Sequence, residues 1–345
     1  MHINDIINTT AYDFLRIDER LKDNIIFLTF GGSHAYGTNT PDSDIDIRGC
    51  CIPLKSDLLG LASLDRSPRF EQFTDPITDT TIYTLGKLIP LLLSCNPNTI
   101  ELLGCKTEHY TLMTENGRLL IENRKLFLSK EAVHSFGGYA NQQLRRLQNA
   151  LARDAYGHDE KEVHILNAIK SSMRTFDEKY KSFPEGSIEL FIGESDKTEF
   201  ESEILMNINL ENYPLRDYRA IWAEMQSIVK VYGKVNHRNN KKDDNHLNKH
   251  AMHLVRLYLM CFDILEKGEI NTYRGNDLEL LRKIRSGGYQ KDDSTYHREF
   301  FELVTDYEKR LKYAADYTDL PDKPDYGKVE ELVMTINEKV VIGDG

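Results

Sequence analysis

The hydrophobic pattern is clearest near the start of the chain. Residues 24–30 (NIIFLTF) form a continuous apolar, β-rich run, which predicts a strand buried on both faces. Before it, Ile6, Ile7, Phe14, Leu15 and Leu21 recur among charges over residues 1–23 and predict an amphipathic lead-in helix. After it come glycines, a polar stretch and residues 43–49 (SDIDIRG), where Asp44, Asp46 and Arg48 alternate with Ile45 and Ile47. That period of two predicts a second strand. Residues 63–78 are polar and turn-rich and read as a loop or hairpin, and 79–84 (DTTIYT) as a further strand. A helix is expected over 85–93, and Asn96-Pro97-Asn98 punctuates it before a helical turn at 99–103.

Helical spacing dominates the rest. Good helix formers recur at three- to four-residue spacing over 136–151 and 163–180, within a helical region spanning 115–182. Residues 187–193 and 204–210 are rich in β-branched side chains and predict a hairpin. Further helices are expected over 215–235 and 246–267, around a charged linker at 236–246 (NHRNNKKDDNH). Residues 319–330, with Pro321, Pro324 and Gly327, read as a loose tail, and no internal repeat stands out. The pattern predicts an α+β chain. A small head of mixed sheet and flanking helices occupies residues 1–110, the expected catalytic domain, and 111–345 form a mainly helical, substrate-binding body.

Composition narrows the class. The chain of 345 residues is 40% apolar and 29% charged, ordinary for a soluble enzyme. Its longest greasy run, around residues 88–93, falls well short of the ~18–20 residues needed to cross a bilayer, and the N-terminus lacks a signal-peptide pattern. A cytoplasmic protein without a membrane partner is expected. Five cysteines without a CxxC pair argue against a thiolate zinc site, and the adjacent Cys50 and Cys51 read as small buried hydrophobes. The formal net charge of −11 disfavours gripping long duplex nucleic acid through a broad basic face. An RNA end, a protein and a small molecule all remain as substrates.

Candidate chemistry concentrates in residues 31–49. Gly31 and Gly32 let backbone N–H groups approach a triphosphate closely, and Ser33 adds a hydroxyl at what could be a helix N-terminus. Asp44 and Asp46, two residues apart on one predicted strand, would project from the same face. Hard oxygen ligands suit Mg²⁺, and two such ions roughly 3.5–4 Å apart serve in-line displacement at phosphorus. A third carboxylate on a neighbouring strand would complete the pair. Asp79, opening DTTIYT, is the choice, with Glu71 and Asp75 in reserve. DxD alone is often a solvated strand face, and GGS alone a flexible turn. Together, with Ser43 introducing DID, they make a stronger signal.

The strand, GGS and DID block resembles the signature of the DNA polymerase β-like nucleotidyltransferases. GSHAYGT with SDIDIRG is similar, more narrowly, to the RNA-ligase-associated (RlaP-like) group of predicted nucleotidyltransferases. Residues 85–103, 138–147, 249–257 and 281–288 resemble further blocks of that family. The resemblance implies Mg²⁺-dependent transfer of NMP from an NTP, with Gly32, Ser33 and Ser43 at the phosphates and Asp44, Asp46 and Asp79 on two Mg²⁺ ions.

Further candidates lie outside this block. Lys249, His253 and Arg256 share a helix face and are candidate ligands of the triphosphate or an acceptor phosphate; an exposed basic face or a core histidine is the plain alternative. Tyr36 reads as a packing plug, and Arg48 as a carboxylate partner. The expected function is NMP transfer to a hydroxyl or phosphate acceptor, such as an RNA 3′ end. Modification of a protein and a non-catalytic Mg-NTP sensor or scaffold are the alternatives.

Overall fold

The computed structural model describes residues 6–41, 43–64, 69–155, 166, 188–194, 202–209, 222–223, 225–226, 229–230, 244–291 and 296–343. Its centre is a mixed five-stranded sheet of β1 (Ile25–Phe30), β2 (Ile47–Cys51), β3 (Gln72–Asp75), β4 (Thr80–Thr84) and β5 (Tyr110–Met113), ordered β3-β4-β2-β1-β5. β2 and β4 run parallel, and the other neighbours are antiparallel.

The apolar run at 24–30 becomes β1, the central partner of both β2 and β5. One face of the sheet carries Leu28, Ile47, Cys51 and Ile82, packed with Tyr12, Leu15 and Leu21 in one cluster. On the other face Arg48 lies in register between Thr29 and Thr81. Cys50 and Cys51 are both fully buried, as small hydrophobes.

Two expectations fail here. The lead-in helix breaks into a 3-10 turn at Thr10–Tyr12 and a short α1 (Phe14–Ile17), because Thr9 turns its hydroxyl onto the carbonyl of Ile6 (2.8 Å) in competition with helix continuation. β2 opens at Ile47 rather than residue 43, because β1 ends at Phe30 and leaves residues 43–45 no strand to pair with.

Between β1 and β2 lies α2 (Gly32–Tyr36), and α3 (Lys55–Leu59) follows β2. After β4, Thr84 caps α4 (Leu85–Leu93), its hydroxyl accepting from the Lys87 N–H, and Asn96 caps α5 (Pro97–Ile100) with Pro97 at its first position. A 3-10 turn, Glu101–Gly104, continues from α5. The helical part comprises α6 (Glu115–Glu122), α7 (Glu131–Ala155), α8 (Asp244–Lys267), α9 (Leu278–Arg285), α10 (Arg298–Tyr317) and α11 (Tyr326–Ile342). α11 replaces the loose end expected over 319–330. Pro321 and Pro324 precede it, and Asp325 caps it through the Lys328 N–H. The predicted hairpin is present as β6 (Ile188–Glu194) paired antiparallel with β7 (Ser202–Ile208). Nearly all of the helix expected at 163–180, most of that at 215–235 and most of the linker at 236–246 lie outside the described residues. Among the described residues no helix is long and apolar enough to cross a membrane.

Backbone contacts gather the chain into two compact units, residues 1–146 with 248–345, and residues 147–247. The first holds the sheet, α1–α6 and most of α8–α11.

Candidate active site

Where β1 ends, the chain turns on glycine. The Gly31 N–H donates to the Asp46 carbonyl (2.8 Å), and Gly32 sits at φ +53, a left-handed conformation that favours glycine. A Cβ on Gly32 would overlap Oδ2 of Asp46, so the turn and this carboxylate share one tight recess. Gly37, at φ +79, closes α2.

Asp46 and Asp79 are brought side by side because each immediately precedes one of the parallel strands β2 and β4, whose register pairs Ile47 with Thr80. Arg48 bridges them: Nη2 donates to Oδ1 of Asp46 (3.3 Å) and Oδ1 of Asp79 (3.0 Å), and Nη1 to the Asp79 carbonyl. Asp79 itself adopts φ +45. Burial, then a hydrogen bond that protonated Asp46 donates to Asp79 and the charge of Asp79, push the Asp46 carboxyl up to about 7 against the pull of Arg48. Asp79 is lowered, by its hydrogen bond with Asp46 first and by Arg48.

α8 supplies positive charge to the same place. Exposed Lys249 draws both carboxyls toward the ionised form. One turn on, His253 keeps Nδ1 out of solvent and without a partner, and burial followed by the charges of Arg256 and Lys249 holds its pKa well below the usual histidine range.

Arg256 turns inward. Its Nη1 donates to Oε2 of Glu101 (3.0 Å), both side chains are under a tenth exposed, and its guanidinium lies 3.7 Å above the Tyr36 ring. The Tyr36 hydroxyl donates to the same Glu101 oxygen (2.7 Å). Glu101, Arg256 and Tyr36 thus lock α2, the turn after α5 and α8 together. Tyr36 is the expected packing plug, and Arg256 supports the turn from within instead of facing solvent beside Lys249.

The remaining candidates divide. Gly32 and Ser33 open α2 beside Asp46. Ser43 is occupied elsewhere, its hydroxyl accepting from the Thr40 N–H (2.8 Å) and its carbonyl lying 3.4 Å from His34 Nε2. Asp44 is exposed and lies in the unpaired segment before β2, where alternation no longer fixes a shared face. Among the described residues, no three His, Cys, Asp or Glu side chains converge as a metal cluster. Of the reserves, Glu71 pairs with Lys87 (2.9 Å) and Asp75 holds the Thr78 N–H (2.9 Å).

Sequence reasoning missed Glu101. Its signal was a lone acid inside the apolar run IELL after Pro97, where burial demands a partner.

The donor chemistry suits a hard divalent cation: two carboxylates meet in one recess, and among the described residues Arg48 is the side chain that bridges them. Asp46 and Asp79 are the residues that would hold it.

Residues 6–169 match the family model described as RlaP, RNA repair pathway DNA polymerase beta family. No curated protein and no solved structure gives a significant match.

Proposed function

We propose, from the RlaP match over residues 6–169, that this chain is a nucleotidyltransferase that moves NMP from an NTP to a hydroxyl or phosphate acceptor. The carrying observation is the Asp46–Asp79 pair, set against the Gly32 turn on one side and the Lys249 charge of α8 on the other. Acids that hold a cation, a close-approach glycine for phosphate and a lysine for the leaving charge are the parts phosphoryl transfer requires. Mg²⁺ bound there would neutralise phosphate charge and lower the pKa of an attacking hydroxyl. Gly32 and Ser33 present backbone and hydroxyl donors to the phosphates, Lys249 supplies a mobile point charge, and His253 stays neutral, able to exchange hydrogen bonds without adding charge. Arg48 orients the carboxylates. Catalysis is assigned to residues 1–110 and substrate binding to helices of 111–345, above all α8.

A second reading, a Mg-NTP sensor without turnover, draws on one observation: Asp44 stands apart from the acid pair. The test is incubation of labelled NTPs and Mg²⁺ with RNA, protein and small-molecule acceptors. Pyrophosphate release that disappears in Asp46→Asn and Asp79→Asn, with label on one acceptor class, supports the enzyme and identifies that class. Saturable Mg-NTP binding without release across all three would sink it in favour of the sensor. Asp44→Asn separates a two-ion site, where it abolishes turnover, from a site built on Asp46 and Asp79, where it does not.

A further inference from the structure

A second recess, of about 390 Å³, opens where the start of β5 meets the segment after α8. None of the residues assigned above to phosphate, metal or catalysis lines it. Ile121 and Ile270 give its lining an aliphatic part, and Tyr110 and Tyr273 also line it. Two cations stand on it, Lys106 and Arg124. Partly buried Arg124 gives one N–H to the Ile121 carbonyl (3.0 Å) and meets no carboxylate among the described residues. Lys106 lies 3.6 Å above the Tyr273 ring and 3.3 Å from Glu108, an exposed pair that leaves the ammonium free to be recruited. The Tyr110 hydroxyl is spent on the Leu102 carbonyl (2.7 Å), which fixes its ring.

An arginine held in a concavity without an acid is short of one anion, and a planar guanidinium matches phosphate in two-pronged fashion. Aromatic and aliphatic walls beside it suit a base or sugar face. The volume lies at the small end of ligand pockets, room for one nucleotide and not for a chain of them. We propose that this recess binds a single phosphate-bearing nucleotide, free or at the end of an RNA, with the phosphate on Arg124 and Lys106. The recess also abuts the end of α2: the Tyr273 ring fills the space a side chain on Gly37 would need, and the Arg274 N–H donates to the Tyr36 carbonyl (3.0 Å).

The test is calorimetric titration of the full chain with each nucleoside 5′-monophosphate and with inorganic phosphate, in chelator so that the acid pair holds no cation. Saturable nucleotide binding is expected, weakened about tenfold or more by Arg124→Ala, which removes a charge-assisted contact. Lys106→Ala should weaken it several-fold and Arg124→Lys less than Arg124→Ala, while Asp46→Asn leaves it unchanged; melting temperatures confirm that each variant is folded. Competition by a 5′-phosphorylated RNA hexamer assigns the source as an RNA end, and its failure to compete assigns a free nucleotide. No saturable binding, binding indifferent to both Arg124 and Lys106, or loss of binding in Asp46→Asn overturns the site. Phosphate binding as tightly as the nucleotides overturns the nucleotide assignment. Turnover at the acid pair is not needed for any of these outcomes.

Discussion

A single backbone angle at Gly32 controls how closely the turn approaches Asp46. In Gly32→Ala the left-handed conformation alone costs roughly 1–2 kcal/mol, and the new Cβ also displaces the Asp46 carboxylate. Urea unfolding should register the first effect, and metal affinity, measured by calorimetry with Mn²⁺, should fall with the second. A variant that keeps wild-type stability and affinity would show that the turn is not under this constraint. His253 gives a pH signature. Its pKa is depressed in the folded protein, so below the unfolded value of about 6.5 the unfolded chain binds the extra proton and folding loses stability as pH falls. His109, likewise depressed by burial, adds to that slope. His253→Leu should flatten the decline in melting temperature between pH 7.5 and 5.5 without abolishing it; an unchanged slope would mean that His253 titrates normally. The glycine turn and the placing of Asp46 and Asp79 at neighbouring strands were legible in the sequence because apolar runs flank each of them. Arg256 was not, since the acid that turns it inward lies 155 residues away.

At the scale of elements, legibility followed how far a pattern depends on distant partners. β1 and α4 were visible because a continuous apolar run, or an apolar run with a capping threonine, is sufficient locally. The start of β2 was misread because Asp-Ile-Asp-Ile has strand periodicity whether or not a neighbour exists, and β1 ends opposite Ile47. β5 escaped notice entirely: four partly buried residues become a strand only through β1. The cap on α4 also tethers it to the sheet edge, since the Thr84 hydroxyl donates to the Glu71 carbonyl (2.9 Å) while accepting from Lys87. Thr84→Ala is expected to lower stability by about 1–2 kcal/mol, read in denaturant midpoints, with Thr84→Ser recovering most of it. Equal losses in both variants would assign the effect to the threonine methyl group.

Across the larger unit, the Glu101–Arg256 pair is the main polar tie between the turn after α5 and α8. Removing one partner leaves a charge buried alone, a loss of about 3–5 kcal/mol. Glu101→Ala and Arg256→Ala should each fall in that range, whereas the double variant Glu101→Leu/Arg256→Met should be far milder because no lone charge remains. Equilibrium unfolding decides it, and additive losses would refute the coupling.

The acids of the candidate site come from the first quarter of the chain, and Lys249 arrives only after residues 147–247 have been made. At ribosomal speeds of roughly 5–20 residues per second, a nascent chain spends on the order of ten seconds or more with Asp46 and Asp79 already synthesised and no α8 to face them. During that interval, and in any product of premature termination before α8, the head can exist without the lysine and arginine that complete it. Under the proposed function, a site that needs Lys249 stays incomplete until the helix Asp244–Lys267 has been made, about three-quarters of the way along the chain.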